Sequence, residues 1–212
     1  MGLPRVRRLG AAFFAAASAA VVLTAPATAQ PVVDWNDAAH KLHAAAVASG
    51  NPEAIAAMER LLAAPKTMAP QRAALPAQVF QVPAYSDTGR LDPATGQLYG
   101  SGIALGIDGF RFGFFGGPGT ISPNQGGARM DVMWFNLANG RSGSNQLVEH
   151  QDVPVDTSIR TPKLDTGTGT IVAAVYGSLW HRWPVPVSDQ HPDGYQYVKS
   201  TIFWPSLGAV LG

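Results

Sequence analysis

The sequence predicts a mainly β protein: an antiparallel β-sandwich or small barrel with an N-terminal helical hairpin docked on it. Three observations carry that expectation. Residues 34–64 are rich in alanine, nearly free of glycine, and place apolar residues at helical spacing. Residues 97–212 are rich in glycine and aromatics and alternate with a period of two. Turn signals recur through that second region at the short spacing of an all-β domain.

Residues 1–29 are expected to be a secretory signal. Arg5, Arg7 and Arg8 precede an uncharged apolar run that closes at Ala27-Thr28-Ala29, a small-x-small site. An uncleaved anchor is the alternative, because Leu9 to Ala25 approaches the length of a short spanning helix. The helix-breaking Pro26 and the Ala-Thr-Ala site favour cleavage after Ala29. The expected location is then secreted, extracellular or in the cell envelope. No later stretch has the length and hydropathy of a transmembrane helix.

From Gln30 onward the chain would have 183 residues (212 − 29), with 12 basic residues (15 − 3) and all 14 acidic ones. Its net charge is therefore −2, unclustered, which offers no electrostatic footprint for nucleic acid. Cysteine is absent. That excludes a thiol nucleophile, an iron–sulfur cluster and a cysteine zinc site. It also requires an exported chain to hold together by packing rather than by disulfides.

The helical hairpin is assigned to 30–64. Asp34 or Asn36 caps the first helix and Gly50 ends it. Asn51-Pro52-Glu53 reads as N-cap, N1 and N2 of the second, where proline costs no hydrogen bond. Ile55, Met58, Leu61 and Leu62 fall on one face and need a surface to pack on. Residues 65–96, with prolines at 65, 70, 76, 83 and 93, read as an extended Pro/Ala-rich linker. The β domain then occupies 97–212.

Two β-hairpins are predicted there. A two-residue Asp108-Gly109 turn would set Ile107, Leu105 and Ile103 opposite Phe110, Phe112 and Phe114, with all six on one face. The opposite face would carry Gly102, Ala104, Gly106, Arg111 and Gly113. The second hairpin turns at Asn139-Gly140. Its first strand is apolar on both faces, and its second is polar and expected near a sheet edge. Strands over "TIVAAVYGSLWHRW" and "YQYVKSTIFW" follow, joined by the proline-rich "PVPVSDQHPDG".

Several short patterns invite a chemical reading. Leu164-Asp165-Thr166-Gly167-Thr168 resembles the aspartic protease signature over five residues. That family presents two carboxylates sharing one proton. Here the signature occurs once, and Thr161-Pro162-Lys163 stands where the family has an apolar strand, so the expected role is a polar turn opening a strand. Asp189, His191, Asp193 and Gly194 match the first half of a calcium loop, but Ser200 occupies the position of its closing glutamate. A zinc site on the same residues would lack a fourth ligand. His40 and His43 share a helix face at a spacing common on solvated surfaces. His150, Asp152 and Asp156 lie near serines, without a Gly-x-Ser-x-Gly elbow.

Among the aromatics Trp134, Trp180, Trp183, Tyr195, Tyr197, Phe203 and Trp204, the first-named pair on one strand, Trp180 and Trp183, have opposite parity and cannot share a face. An exposed tryptophan would suit a sugar ring or an acyl chain. Burial on both sides, between sheet and helices, is the competing role. The chain is therefore expected to be a secreted non-enzymatic binding or envelope-associated protein without cofactor or metal. Its partner would be a glycan, a lipid or an envelope protein. A secreted aspartic-peptidase-like hydrolase and an envelope-associated oligomeric β protein are the alternatives.

Overall fold

A computed structural model describes residues 33–64, 71–72, 77–86, 97–105, 110–115, 120–150, 158–202 and 204–212. The expected signal segment, the Asp108-Gly109 turn, Asp152, Asp156 and Phe203 lie outside the described residues.

Two helices open the described chain, α1 (Trp35–Ser49) and α2 (Pro52–Ala63). Their ends are written in the sequence. Asp34 Oδ1 accepts hydrogen bonds from the backbone N–H of Asn36 at 3.0 Å and Asp37 at 3.1 Å, and Gly50 closes α1 in the left-handed conformation. Asn51 Oδ1 caps α2 through Glu53 and Ala54, with Pro52 in the first turn. Of the predicted stripe on α2, Met58 is buried, Ile55 and Leu61 are half-buried, and Leu62 is exposed.

Twelve strands follow among the described residues: β1 (Gln71–Arg72), β2 (Ala77–Ser86), β3 (Gln97–Leu105), β4 (Arg111–Phe115), β5 (Thr120–Ile121), β6 (Met130–Asn136), β7 (Ser142–Gln146), β8 (Glu149–His150), β9 (Ser158–Arg160), β10 (Thr170–Pro184), β11 (Tyr195–Thr201) and β12 (Gly208–Leu211). The long strand β10 belongs to two sheets. Its first half pairs antiparallel with β6 on one side and β12 on the other, and β7 extends that sheet beyond β6. Its second half pairs with β11 and β5, and the sheet continues through β2, β3, β4, β9 and β8. Among the described residues every strand pairing is antiparallel except β1 with β12, and the sheets form an open sandwich that does not close into a barrel.

The two cores follow from the parity of β10 and β6. Ile171, Ala173 and Val175 point between the sheets with Val132 and Trp134, and meet Phe112 and Phe114 from β4. The alternate residues Val172, Ala174 and Tyr176 point the other way with Met133, onto Leu42, Ala46, Ala54, Ala57 and Met58 of the helices. Alanines at the contact let helix backbones approach each other and the sheet closely. The helical hairpin is therefore docked on the outer face of the first sheet, as the sequence predicts.

Three readings need revision. The stretch 65–96 is extended but is not only a linker: β2 pairs with β3 from Ala77↔Leu105 to Tyr85↔Gln97, with Pro83 inside the strand. The sheet therefore begins before residue 97.

The register of the β3–β4 hairpin differs by one residue from the prediction. Leu105 lies opposite Arg111, Ala104 opposite Phe112 and Gly102 opposite Phe114, so Phe112 and Phe114 do not sit across from Leu105 and Ile103. A one-residue slip exchanges the partners of a whole strand. Just before β4, Phe110 bridges Leu164, whose N–H donates to the Phe110 carbonyl at 2.8 Å.

The second hairpin is where it is predicted, but its loop is longer. Phe135 lies opposite Ser142, and the Asn136 N–H donates to the Arg141 carbonyl at 2.7 Å.

Candidate functional site

The Asp-Thr-Gly turn is built to hold two pieces of backbone together. Asn136 is buried at the end of β6, and its Nδ2 donates to the carbonyls of Thr166 at 2.9 Å and Thr168 at 3.1 Å. Asn139 Nδ2 reaches the Thr166 carbonyl as well, at 3.2 Å. Gly167 has φ 70°. That φ favours glycine, and a Cβ there would also push the Asn139 amide away from the Thr166 carbonyl. Asp165 faces solvent and takes a two-pronged ion pair from Arg141, both contacts at 3.0 Å. The Arg141 hydrogen bond, and then its charge, hold the Asp165 carboxyl below the usual value. A carboxylate kept ionised by an arginine at the surface is the reverse of one that shares a proton.

The calcium-like loop is likewise closed on itself. Asp193 Oδ1 accepts from the Tyr195 N–H at 3.1 Å, and Oδ2 accepts from the Tyr197 hydroxyl at 2.6 Å. His191 Nδ1 lies 3.1 Å from the Tyr195 carbonyl. Among the described residues, no group of three or more histidines and carboxylates is placed to hold a metal ion. His40 is exposed and His43 half-buried on α1. Of the His150, Asp152 and Asp156 set, only the backbone of His150 is described, in β8.

The aromatic set is what the structure gathers. Trp134 is buried in the inter-sheet core, with its Nε1 donating to Asn145 Oδ1 at 2.8 Å. On the second half of β10, parity divides the other two tryptophans, as predicted. Leu179, His181 and Trp183 take one face. Trp180 and Arg182 take the other, which is the outer face of the second sheet. The register sets Trp180 opposite Lys199 and Arg182 opposite Tyr197. Directly opposed residues share a face, so two rings and two cations alternate across the two strands. The Arg182 guanidinium also lies 4.5 Å above the ring of Tyr195.

A loop clamps this face. After β5 ends, the Gln125 side chain continues the pairing of β10 in place of a strand. Its Oε1 accepts from the Trp180 N–H at 2.8 Å, and its Nε2 donates to the Trp180 carbonyl at 3.0 Å. The Ser122 N–H donates to the same carbonyl at 2.8 Å. Trp180 Nε1 donates to the Gly126 carbonyl at 2.9 Å, and Lys199 Nζ donates to the Gly127 carbonyl. The indole is therefore held at backbone and ring while staying half-exposed. Beside it opens a pocket of about 370 Å³, lined by Ser122, Asn124, Gly126, Trp180 and Tyr197. Tyr197 is 44% exposed, so both rings at this pocket reach solvent. Its phenol is raised above the usual value, chiefly by its hydrogen bond to Asp193.

No family model, curated protein or solved structure matches this chain.

Two further arrangements escaped the sequence reading. His181 is buried beneath the Trp180 face, its Nδ1 has no hydrogen-bond partner, and burial lowers its pKa to about 4. Arg129 chelates the buried carboxylate of Asp131 at 2.7 and 3.0 Å, beside a groove of about 530 Å³ between α2 and the sheet. His181 could have been flagged from its parity with Leu179. Gln125 carries no signal in sequence, because its role depends on where β5 stops.

Proposed function

We propose that this chain is an exported, non-enzymatic binding protein, secreted or held at the cell envelope, whose recognition surface is the Trp180–Tyr197 face. One observation carries the reading: a half-exposed indole, tethered by its ring and its backbone, stands beside an exposed tyrosine at an open pocket. An ordinary core tryptophan is covered, and a stray surface one is not clamped. A held ring loses little conformational freedom on binding, which favours affinity. The ligand class that fits is a sugar ring, whose apolar face stacks on indole while its hydroxyls meet the polar rim. Ser122 and Asn124 supply that rim. Catalysis is not part of this reading.

Tryptophan fluorescence tests it, with chitotetraose, cellotetraose and tetragalacturonate as probes. Saturable quenching is expected with at least one of them. It should vanish in Trp180→Ala and persist in Trp183→Ala, whose ring lies on the opposite face. Absence of saturable change with all three would overturn the reading. Export has its own check. Mass spectrometry of protein recovered outside the cell should find an N-terminus at Gln30, and an intact Met1 would restore the anchor.

A further inference from the structure

We infer that this face reads an N-acetylated sugar: one unit stacked on the aromatics, with its acetamido carbonyl accepting hydrogen bonds from Asn124 and Ser122. The inference rests on the proposed binding role and adds the substituent that is recognised.

The two rings bring only their faces. The Trp180 Nε1 proton goes to the Gly126 carbonyl, and the Tyr197 hydroxyl proton goes to Asp193. The Tyr197 oxygen in turn takes a hydrogen bond from Arg182. Among the described lining residues, polar selection at the pocket therefore falls to Ser122 and Asn124.

Both present donors. Asn124 Oδ1 accepts from the Gly126 N–H at 2.9 Å, which fixes the amide with Nδ2 on its other side. Ser122 Oγ accepts from the Asn124 N–H at 3.3 Å and keeps its own proton to give. The neighbouring carbonyls already serve as acceptors: Ser122 takes Gln125 Nε2, Gly126 takes Trp180 Nε1 and Gly127 takes Lys199 Nζ. A rim that gives protons suits a group that only accepts them. A sugar hydroxyl both gives and accepts, and here would use half its capacity. An acetamido carbonyl matches its two lone pairs to the two donors, while its methyl lies against an aromatic ring. Its single N–H can turn to the open mouth of the pocket. A peptide brings an N–H with every carbonyl along its length, and the carbonyls here are already engaged. The pocket, about 370 Å³, is at the small end of the range for ligand sites, so it holds one such unit rather than a long chain.

The test is titration of the exported protein with chitotetraose, which bears an acetamido group on every ring, and with cellotetraose, the same chain with hydroxyls there. Chitotetraose should bind about tenfold more tightly, the preference one net hydrogen bond and a covered methyl would give. Asn124→Asp keeps the oxygen that accepts from Gly126 and replaces the donating nitrogen, so it should bring that ratio toward one. Ser122→Ala should narrow it as well, and either variant alone suffices should the other fail to fold. Equal binding of the two chains, or a ratio unchanged in either folded variant, would overturn this inference and leave the proposed function standing. No binding of any saccharide would overturn both. Tighter binding of tetragalacturonate or of acetyl-tetraalanine amide than of chitotetraose would assign the pocket to a carboxylate or a peptide and overturn this inference too.

Discussion

Between Ile171 and Tyr176, β10 is buried on both faces; between Ser178 and Pro184, one face is buried and the other reaches solvent. The first half has the inter-sheet core below it and two helices above it, and its residues are those of packing: isoleucine, valine, alanine and one tyrosine. The second half keeps the core below, with Leu179 and His181, while its even-numbered residues meet the 122–127 loop instead of a helix and stay half-exposed or exposed. Those are serine, tryptophan, arginine and proline. One strand thus serves as a structural spine and then as a platform, and the change of cover sets the change of composition. The half-exposed Trp180 face begins where the helical cover ends.

The boundary is Gly177, and replacing it should have the largest effect of any single change. Its φ is 103°, and a Cβ there would lie 2.1 Å from the Arg129 carbonyl oxygen, which is backbone and cannot swing aside. Gly177→Ala combines an unfavourable φ with a steric clash, a loss of about 3–5 kcal/mol. Urea unfolding would measure it. A loss below about 1 kcal/mol would mean that the two halves are not divided by this close approach.

Next come paired substitutions, one in each half. Ile171→Ala empties a fully buried site and should cost about 2–5 kcal/mol. Trp180→Ala should cost clearly less, because its ring is half-exposed, and should remove saccharide binding. Equal costs would erase the distinction between spine and platform.

How far these halves were legible in the sequence differs for a physical reason. Alternation and caps are local, so α1, α2, β6, β10 and β11 could be read from neighbouring residues. The opposite parity of Trp180 and Trp183 was legible in the same way. What escaped depends on distant partners. Asp108-Gly109 suggests a tight turn, but the register lies one residue away, and Phe110 bridges Leu164, fifty-four positions on. The prolines of 65–96 suggest a linker, but β3 and β11 supply pairing that recruits β2 into the sheet. Gln125 holds Trp180 across fifty-five residues, and no short window contains both.

His181 sharpens the comparison from below the platform. Burial lowers its pKa from 6.5 to about 4. The unfolded chain therefore binds a proton in the interval from about pH 6.5 to 4 that the folded chain refuses. Stability is complete above pH 6.5 and falls as the pH drops toward 4, by about 3 kcal/mol at 1.36 kcal/mol for each pKa unit. The lowered carboxylates Asp165 and Asp193 act in a more acid window, as the pH falls below their unfolded value of 3.8. Unfolding measured from pH 7 to 4.5 should show the loss, and His181→Leu should flatten the slope. An unchanged slope in that variant would place the titration elsewhere.

The smallest effect is expected at Asp165, where the sequence most resembles an active site. The turn is held by Asn136 and Asn139, which bond the carbonyls of Thr166 and Thr168 rather than the Asp165 carboxylate. Removing the charge therefore leaves those bonds in place. The ion pair with Arg141 is open to solvent on both sides, and screening leaves such pairs little net effect on stability. Asparagine also keeps the turn preference and an acceptor oxygen. Asp165→Asn should unfold at the same urea concentration as the parent protein and bind saccharide with the same affinity. Asn136→Ala offers the contrast: it strips the turn of its buried donor and should unfold earlier. If Asp165→Asn instead abolished an acid-dependent peptide cleavage by the purified protein, the turn would be a catalytic element, and recognition would have to be sought there rather than on the second half of β10.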